Sequence, residues 1–334
     1  MVTAIVAIIV FGILVFIHEL GHFTVAKLVG IKVHEFALGM GPKLIYTTKG
    51  DTLYSIRLLP LGGYVKMEGE DEKSEDERSF NKKPVLARIA VIFAGPFMNF
   101  ILAIVLFLTF FYFVGSPTTI ISKVQDQSPA QVAGIEAGDS IYAINGQKIH
   151  TWEEVTERIS KSEGSPMEIT IIRDGEHLEK TVIPMQDETS NRILIGITTT
   201  MKKSLSSAGE NALFAIKSIV RGILEFLRNL VGRKVNTGEV MGPVGIINLV
   251  GEVSRTGLLD IVSLTAVLSV NLGLMNLLPI PALDGSRILF LIIEMLRGKP
   301  VDQDKEGMIH LIGFGILMTF MVFITFQDIQ KLFG

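Results

Sequence analysis

His18-Glu19-Leu20-Gly21-His22 lies inside an apolar run, Ala4 to Val29, long enough to cross a bilayer. On a helix, residues four apart share one face, so both imidazoles point the same way. Two histidines so placed can hold one zinc ion, with Glu19 between them as general base for a water on that metal. Two satisfied histidines on a helix are the bland alternative. The setting argues against it, because three ionisable side chains in hydrocarbon are costly and therefore usually functional.

The rest of the chain fits a membrane protein. Hydrophobic residues make up 48% of the 334 residues, and the mean hydropathy is +0.45. A net charge of −3 argues against a nucleic-acid partner. The chain has no cysteine, so its metal ligands must come from His, Asp or Glu. Met1-Val2-Thr3 lacks a basic region, so the N-terminus does not read as a cleavable signal peptide.

Taken in order, residues 4–28 form a first span. His34 to Lys66 alternates weakly between turn signals and predicts short strands at Glu35–Leu38, Lys43–Thr47, Leu53–Leu58 and Tyr64–Lys66. Glu68 to Arg78 reads as a solvated loop. A second span, 89–114, opens with Ala94-Gly95-Pro96, which predicts a kink or a helix start, and carries Asn99, read as a helix-packing amide. Residues 117–200 read as a soluble insert, with strands Met167–Arg173 and Lys180–Pro184 around the turn Asp174-Gly175, and with His150 and His177 in surface turns. Residues 204–231 are amphipathic, with Lys217, Arg221, Glu225 and Arg228 on one face; such a helix lies on the membrane surface or packs on the insert. A third span, 258–282, ends at Pro279 and Pro281, a short apolar helix follows at Ile288–Leu296, and the last span is 307–326, with His310 interfacial at its start.

The domains expected are residues 1–114, with the zinc-binding helix, a β-loop region (32–67) and the second span; 117–200, the insert; 204–256, a surface helix and connector; and 257–334, with the third ligand and the last span. Lys27–Arg88 carries 11 basic residues and Arg287–Lys305 four more. The positive-inside rule makes both segments cytosolic, with the insert and both termini outside. The active site then lies near the cytosolic side of a cell membrane.

A hydrolytic zinc takes three protein ligands and leaves one position open. Asp284, at the broken end of an apolar helix, is the best third ligand; an Asp capping the following helix is the alternative, and Glu35 and Glu68 are rivals.

At this point the sequence resembles a known family. His18-Glu19-x-x-His22 together with Asn276-x-x-Pro279-x-Pro281-x-Leu283-Asp284-Gly285 resembles the site-2 protease family of intramembrane zinc metalloproteases. Ala130-Gln131-Val132-Ala133-Gly134-Ile135-Glu136-Ala137-Gly138-Asp139 and Ile144-Asn145-Gly146 resemble a PDZ domain, and one such unit looks like the family's bacterial branch, whose Gram-negative members have two. Phe36-Ala37-Leu38-Gly39-Met40-Gly41-Pro42 is similar to its membrane-associated β-loop; Ala94-Gly95-Pro96-x-x-Asn99 and Gly242-Pro243-Val244-Gly245-Ile246 also match its pattern. The resemblance implies an α-helical integral membrane protein with about four transmembrane helices, a small membrane-associated β region and an inserted α+β PDZ domain. It implies one Zn2+ per chain, held by His18, His22 and Asp284, with Glu19 as catalyst. Its substrates would be transmembrane segments of membrane-anchored regulators, such as an anti-sigma factor, or remnant signal peptides.

An unwound substrate needs backbone partners, since unsatisfied amides in hydrocarbon cost several kcal/mol each. A strand edge near Gly39, Gly41, Gly62, Gly63 and Val65 is expected to supply them, with Glu35–Thr47 folding as a hairpin about Gly39-Met40-Gly41, and with Asn276 on the substrate backbone or oxyanion; a purely structural hairpin and an interhelical packing role for Asn276 are the alternatives. The partners expected are a transmembrane protein or peptide, the lipid bilayer and a peptide ligand of the PDZ domain. Two other classes compete: a non-catalytic PDZ scaffold, which has no need of Glu19, and a metal transporter, which needs ligands along a path.

Overall fold

The computed structural model describes residues 2–70, 74–187, 192–232 and 241–333. They fall into two compact units, Met1–Phe107 with Leu213–Gly334, and Leu108–Ala212. Among the described residues, four helices are long and apolar enough to cross a membrane.

The first unit begins with α1 (Val2–Leu28). Two bent strands follow, β1 (Val33–Lys49) and β2 (Thr52–Met67). Each folds back on the other. Phe36 pairs with both Val65 and Tyr54, while Tyr46 pairs with Ser55. The four short strands expected are therefore present as segments of two longer ones. The hairpin expected about Gly39-Met40-Gly41 does not form. Glu35–Leu38 is the central segment, with partners on both sides. Gly39 (φ +88°) instead marks a close crossing, since a Cβ there would lie 2.5 Å from the Leu59 carbonyl oxygen.

Helix α2 (Val85–Val114) starts before the expected boundary and runs through Pro96 without ending. A proline costs a membrane helix one N–H, a loss that neighbouring helices can offset. Arg88, at its first turn, donates to both carboxylate oxygens of Glu294.

The second unit is built on the strand order β10-β3-β4-β6-β7. In chain order its elements are β3 (Ser116–Val124), α3 (Pro129–Val132), β4 (Ser140–Ile144), β5 (Gln147–Lys148), α4 (Trp152–Lys161), β6 (Met167–Arg173) and β7 (Glu176–Val182). The short pair β8 (Met185–Gln186) and β9 (Ile193–Leu194) and then β10 (Ile197–Lys202) complete it. Its core is aliphatic, with Ile121, Ile141, Ile144, Ile169 and Ile171. Asp174 (φ +52°) and Gly175 (φ +87°) make the tight hairpin turn. The turn holds only those two residues, so β7 starts at Glu176, earlier than expected. His177 is thus a strand residue paired with Ile172, with its ring against Tyr142, and not a turn residue.

After α5 (Leu205–Val231) come α6 (Pro243–Val253), α7 (Leu258–Asn276), α8 (Asp284–Arg297) and α9 (Gln303–Phe333). Asp328 of α9 is buried and accepts the N–H groups of Gly242 (3.2 Å) and Gly245 (2.8 Å), which fixes the N-terminus of α6. The third span ends at Asn276 and not at 282, because neither Pro279 nor Pro281 can donate to a helix. The next helix starts at Asp284, four residues before the expected Ile288.

Candidate metal centre

His18 and His22 are buried in α1, one turn apart. Their Nε2 atoms are 3.2 Å from each other. Asp284, the first residue of α8, brings Oδ2 to 3.2 Å from His18 Nε2 and 3.5 Å from His22 Nε2. That Oδ2 is buried and has no hydrogen-bond partner. Three Lewis bases thus converge with no hydrogen bond to account for the carboxylate oxygen. Ligand atoms about 2.0–2.1 Å from a tetrahedral zinc lie roughly 3.3 Å from one another. The observed spacings match that figure, so these residues fit zinc. Among the described residues this is the single His/Asp/Glu group close enough to share a metal.

The shell around them sets the tautomers. His22 Nδ1–H donates to the Val91 carbonyl oxygen of α2 at 2.9 Å, which leaves Nε2 as the free base. His18 Nδ1 faces the Asn99 side-chain amide at 3.1 Å. Asn99 is fully buried, and its Oδ1 otherwise has no partner. A half-turn of the amide places Oδ1 on Nδ1–H, satisfies that oxygen and frees His18 Nε2 for a metal. Ser269 of α7 donates to the Asn99 backbone oxygen at 2.7 Å, which ties this turn of α2 to a third helix.

Two glycines make the arrangement possible. A Cβ on Gly95 would overlap the His22 ring, with Cε1 at 2.5 Å and Cδ2 at 2.8 Å. A Cβ on Gly21 would strike the Ala94 carbonyl group of α2. Helices α1 and α2 approach this closely only because both positions lack a side chain.

Glu19 is half-buried beside His18. Gly63 of β2 lies against it; a Cβ there would be 3.1 Å from Glu19 Cγ and 3.0 Å from Val15 Cγ1. The bare backbone of β2 therefore runs past the catalytic candidate. Of the other expected substrate-binding residues, Gly39 lies against Leu59, Gly41 is near the Leu59 side chain, and Gly62 (φ +77°) faces Met40. Val65 is buried in an apolar cluster with Ala26, Ile31 and Phe36. Asn276 is half-buried at the end of α7. A Cβ on Gly285 would run into the carbonyl oxygens of Leu277 and Leu278, so the start of α8 packs tightly on the end of α7.

The two rival ligands are engaged elsewhere. Glu35 accepts from Ser55 Oγ and from Arg57 Nη2, each at 2.7 Å. Glu68 is 2.5 Å from His34 Nε2 and accepts from Ser74. Sequence reasoning missed the roles of Asn99, Gly95 and Val91. A lone amide in an apolar span was the signal for Asn99. Nothing in a sequence marks the Val91 carbonyl.

Comparisons with known proteins agree over almost the whole chain. The model of Peptidase family M50 matches residues 6–320. A zinc-metalloprotease candidate of Clostridium acetobutylicum is 39% identical, covering 97% of this chain and 96% of its own. The regulator of sigma-W protease RasP of Bacillus subtilis is 34% identical over 99% of each chain. Among solved structures, the PDZ domain of the SdrC-like protein Lin2157 of Listeria innocua is similar to a quarter of the chain, covering 25% of it and 92% of its own length at 22% identity and a TM-score of 0.23.

Proposed function

This chain belongs to peptidase family M50, and from that premise we propose which of its residues perform intramembrane proteolysis. It is a membrane-embedded zinc endopeptidase. His18, His22 and Asp284 hold the zinc. The observation that carries this reading is the convergence of two Nε2 atoms and the unpartnered Asp284 Oδ2, spaced 3.2–3.5 Å apart. When bound, zinc supplies a Lewis acid for the scissile carbonyl and lowers the pKa of a water to about 7.

The remaining chemistry belongs to the chain. Glu19 takes the proton of the attacking water and returns it to the leaving nitrogen. The Val91 carbonyl and Asn99 keep both imidazoles in the tautomer that presents Nε2. A substrate helix hides its carbonyls in its own hydrogen bonds and has to unwind before attack. The Tyr64–Lys66 segment supports the unwound stretch, because one side of it is free of β1 and Gly63 sets it against Glu19. Leu38 offers no open edge, since Gly63 and Ile56 both pair with it. Asn276 is the next residue placed to meet the substrate backbone.

The substrates are transmembrane segments of membrane-anchored regulators, an anti-sigma factor among them, or remnant signal peptides. The name of the Bacillus subtilis relative supports the first class. The insert of residues 117–200 filters substrates or senses a cleaved C-terminus, and the helix of residues 204–231 lies at the membrane surface. The basic residues of Lys27–Arg88 and Arg287–Lys305 support a cytosolic side for both segments under the positive-inside rule.

Two experiments test this reading. Purified Glu19→Gln is expected to keep one zinc per chain and to lose cleavage of a transmembrane substrate by about 10²–10⁴-fold, while His18→Ala loses both. Cleavage retained by Glu19→Gln defeats the mechanism. For sidedness, Ser162→Cys in this cysteine-free chain is expected to react with an impermeant thiol reagent on intact cells, and Ser74→Cys is not. The opposite pattern inverts the topology.

A further inference from the structure

Asp284 is delivered by an irregular link, residues 277–283, and that link has an unusual partner. Pro279 and Pro281 have no N–H. Ile280 donates to the Leu278 carbonyl (2.7 Å) and Leu283 to the Ile280 carbonyl (3.1 Å). The N–H of Ala282 goes to a side chain on the last span. It donates to His310 Nδ1 at 3.0 Å. Ala282 has φ +75°, a left-handed conformation that costs any residue with a Cβ. One turn further along α9, a Cβ on Gly313 would lie 3.0 Å from the carbonyl carbon and oxygen of Pro281. Helix α9 therefore grips Pro281-Ala282 at two adjacent positions, one polar and one steric.

The His310 ring is itself oriented. Phe290 of α8 meets it edge-on at 5.8 Å between centroids. Because Nδ1 accepts, the ring proton sits on Nε2, which is buried, with Glu306 Oε1 at 3.8 Å. This tautomer is the reverse of that of His22. Ala282 is two residues from Asp284, and Gly285 on the far side is packed against the end of α7. The carboxylate is thus held between two anchors; Ser286 Oγ of α8 also donates to the Leu283 carbonyl at 2.7 Å, and the His310 bond is the side-chain bond that reaches the link from α9.

We infer that His310 is a positioning residue for the third metal ligand: through the Ala282 N–H it holds the link in the shape that aims Asp284 at His18 and His22. This rests on the reading of Asp284 as a ligand. A metal site requires its ligands fixed to within a few tenths of an ångström, and outer partners that fix them typically contribute 10–100-fold in metal affinity. An imidazole in an apolar span with no contact to the ligands themselves is accounted for in this way.

The test is zinc affinity of the full-length purified chain, measured by competition with a chromophoric chelator. His310→Phe keeps an aromatic ring against Phe290 and removes the acceptor; zinc affinity is expected to fall by about tenfold or more. His310→Asn keeps an acceptor near the Nδ1 position and is expected to stay within about threefold of wild type. Adding Ala282→Gly to His310→Phe removes the cost of the left-handed conformation and is expected to recover part of the loss. If His310→Phe does not fold, His310→Leu takes its place in the series. Asp284→Ala is the reference arm. Zinc affinity unchanged in Asp284→Ala overturns the ligand assignment itself. Asp284→Ala weak but His310→Phe equal to wild type overturns the positioning role alone, as does an equal loss in His310→Phe and His310→Asn.

Discussion

Asp139 and Asp284 are both shielded carboxylates, one in each unit, and their surroundings differ in kind. Asp139 is 1% exposed and fully partnered. Arg173 donates to both its oxygens, at 2.7 and 2.8 Å, and the Glu136 N–H donates at 2.8 Å. Burial alone would raise its pKa; the Arg173 and Glu136 hydrogen bonds outweigh that and hold it below the usual carboxylate value. Asp284 faces two imidazole nitrogens and has an oxygen with no hydrogen-bond partner. A buried carboxylate with its partners supplied by the protein is a structural element. One left incomplete among other Lewis bases is shaped for a cation.

That contrast predicts opposite phenotypes, and the largest effect is at Asp284. Asp284→Asn is expected to lose zinc and all measurable cleavage, because a neutral amide is a poor ligand for a hard-to-borderline cation. Metal analysis beside a cleavage assay checks this, and full zinc content in the variant breaks the contrast.

Next comes Gly95→Ala. A methyl group there occupies the space of the His22 ring. Zinc affinity is expected to fall by about 10²-fold or more as His22 is displaced, a loss at the upper end of what outer partners cause. Normal zinc binding by Gly95→Ala would mean that α1 and α2 separate without cost.

Val65→Pro is a milder change, directed at substrate holding and not at the metal. Cleavage is expected to drop about tenfold while zinc stays at one per chain, since a proline removes one backbone donor. Unchanged cleavage moves the search for the substrate's partner to Asn276.

The smallest effect on chemistry is expected from Asp139→Asn. Zinc and cleavage remain as in wild type, and the melting temperature falls by a few degrees at neutral pH. The sign with pH follows from the depressed folded-state pKa. The wild-type advantage is complete above the unfolded value of 3.8 and disappears as pH falls through the folded value. Calorimetry of both chains from pH 7 downward checks this. A gap that widens on acidification reverses the assignment of Asp139.

The order of elements and the core of the site are legible in the amino-acid sequence alone. His18, Glu19 and His22 are on one helix, so a four-residue spacing is enough to place both imidazoles on one face. Long apolar runs locate the spans because a bilayer imposes their length. Asp284 can be nominated from sequence, but only the fold brings its Oδ2 to 3.2 Å from His18, a residue far away along the chain. Three things are decided by tertiary structure alone. The hairpin expected about Gly39-Met40-Gly41 is the wrong pairing, because strand partners are chosen by long-range register and not by the nearest turn. Gly95 and Gly21 matter for what they leave empty, and an absent side chain has no signature until a neighbouring helix fills the space. The Val91 carbonyl and the Ala282 N–H carry tautomer and position, yet every residue other than proline has both groups. What distinguishes these two is that a helix from elsewhere in the chain ends a side chain on each of them.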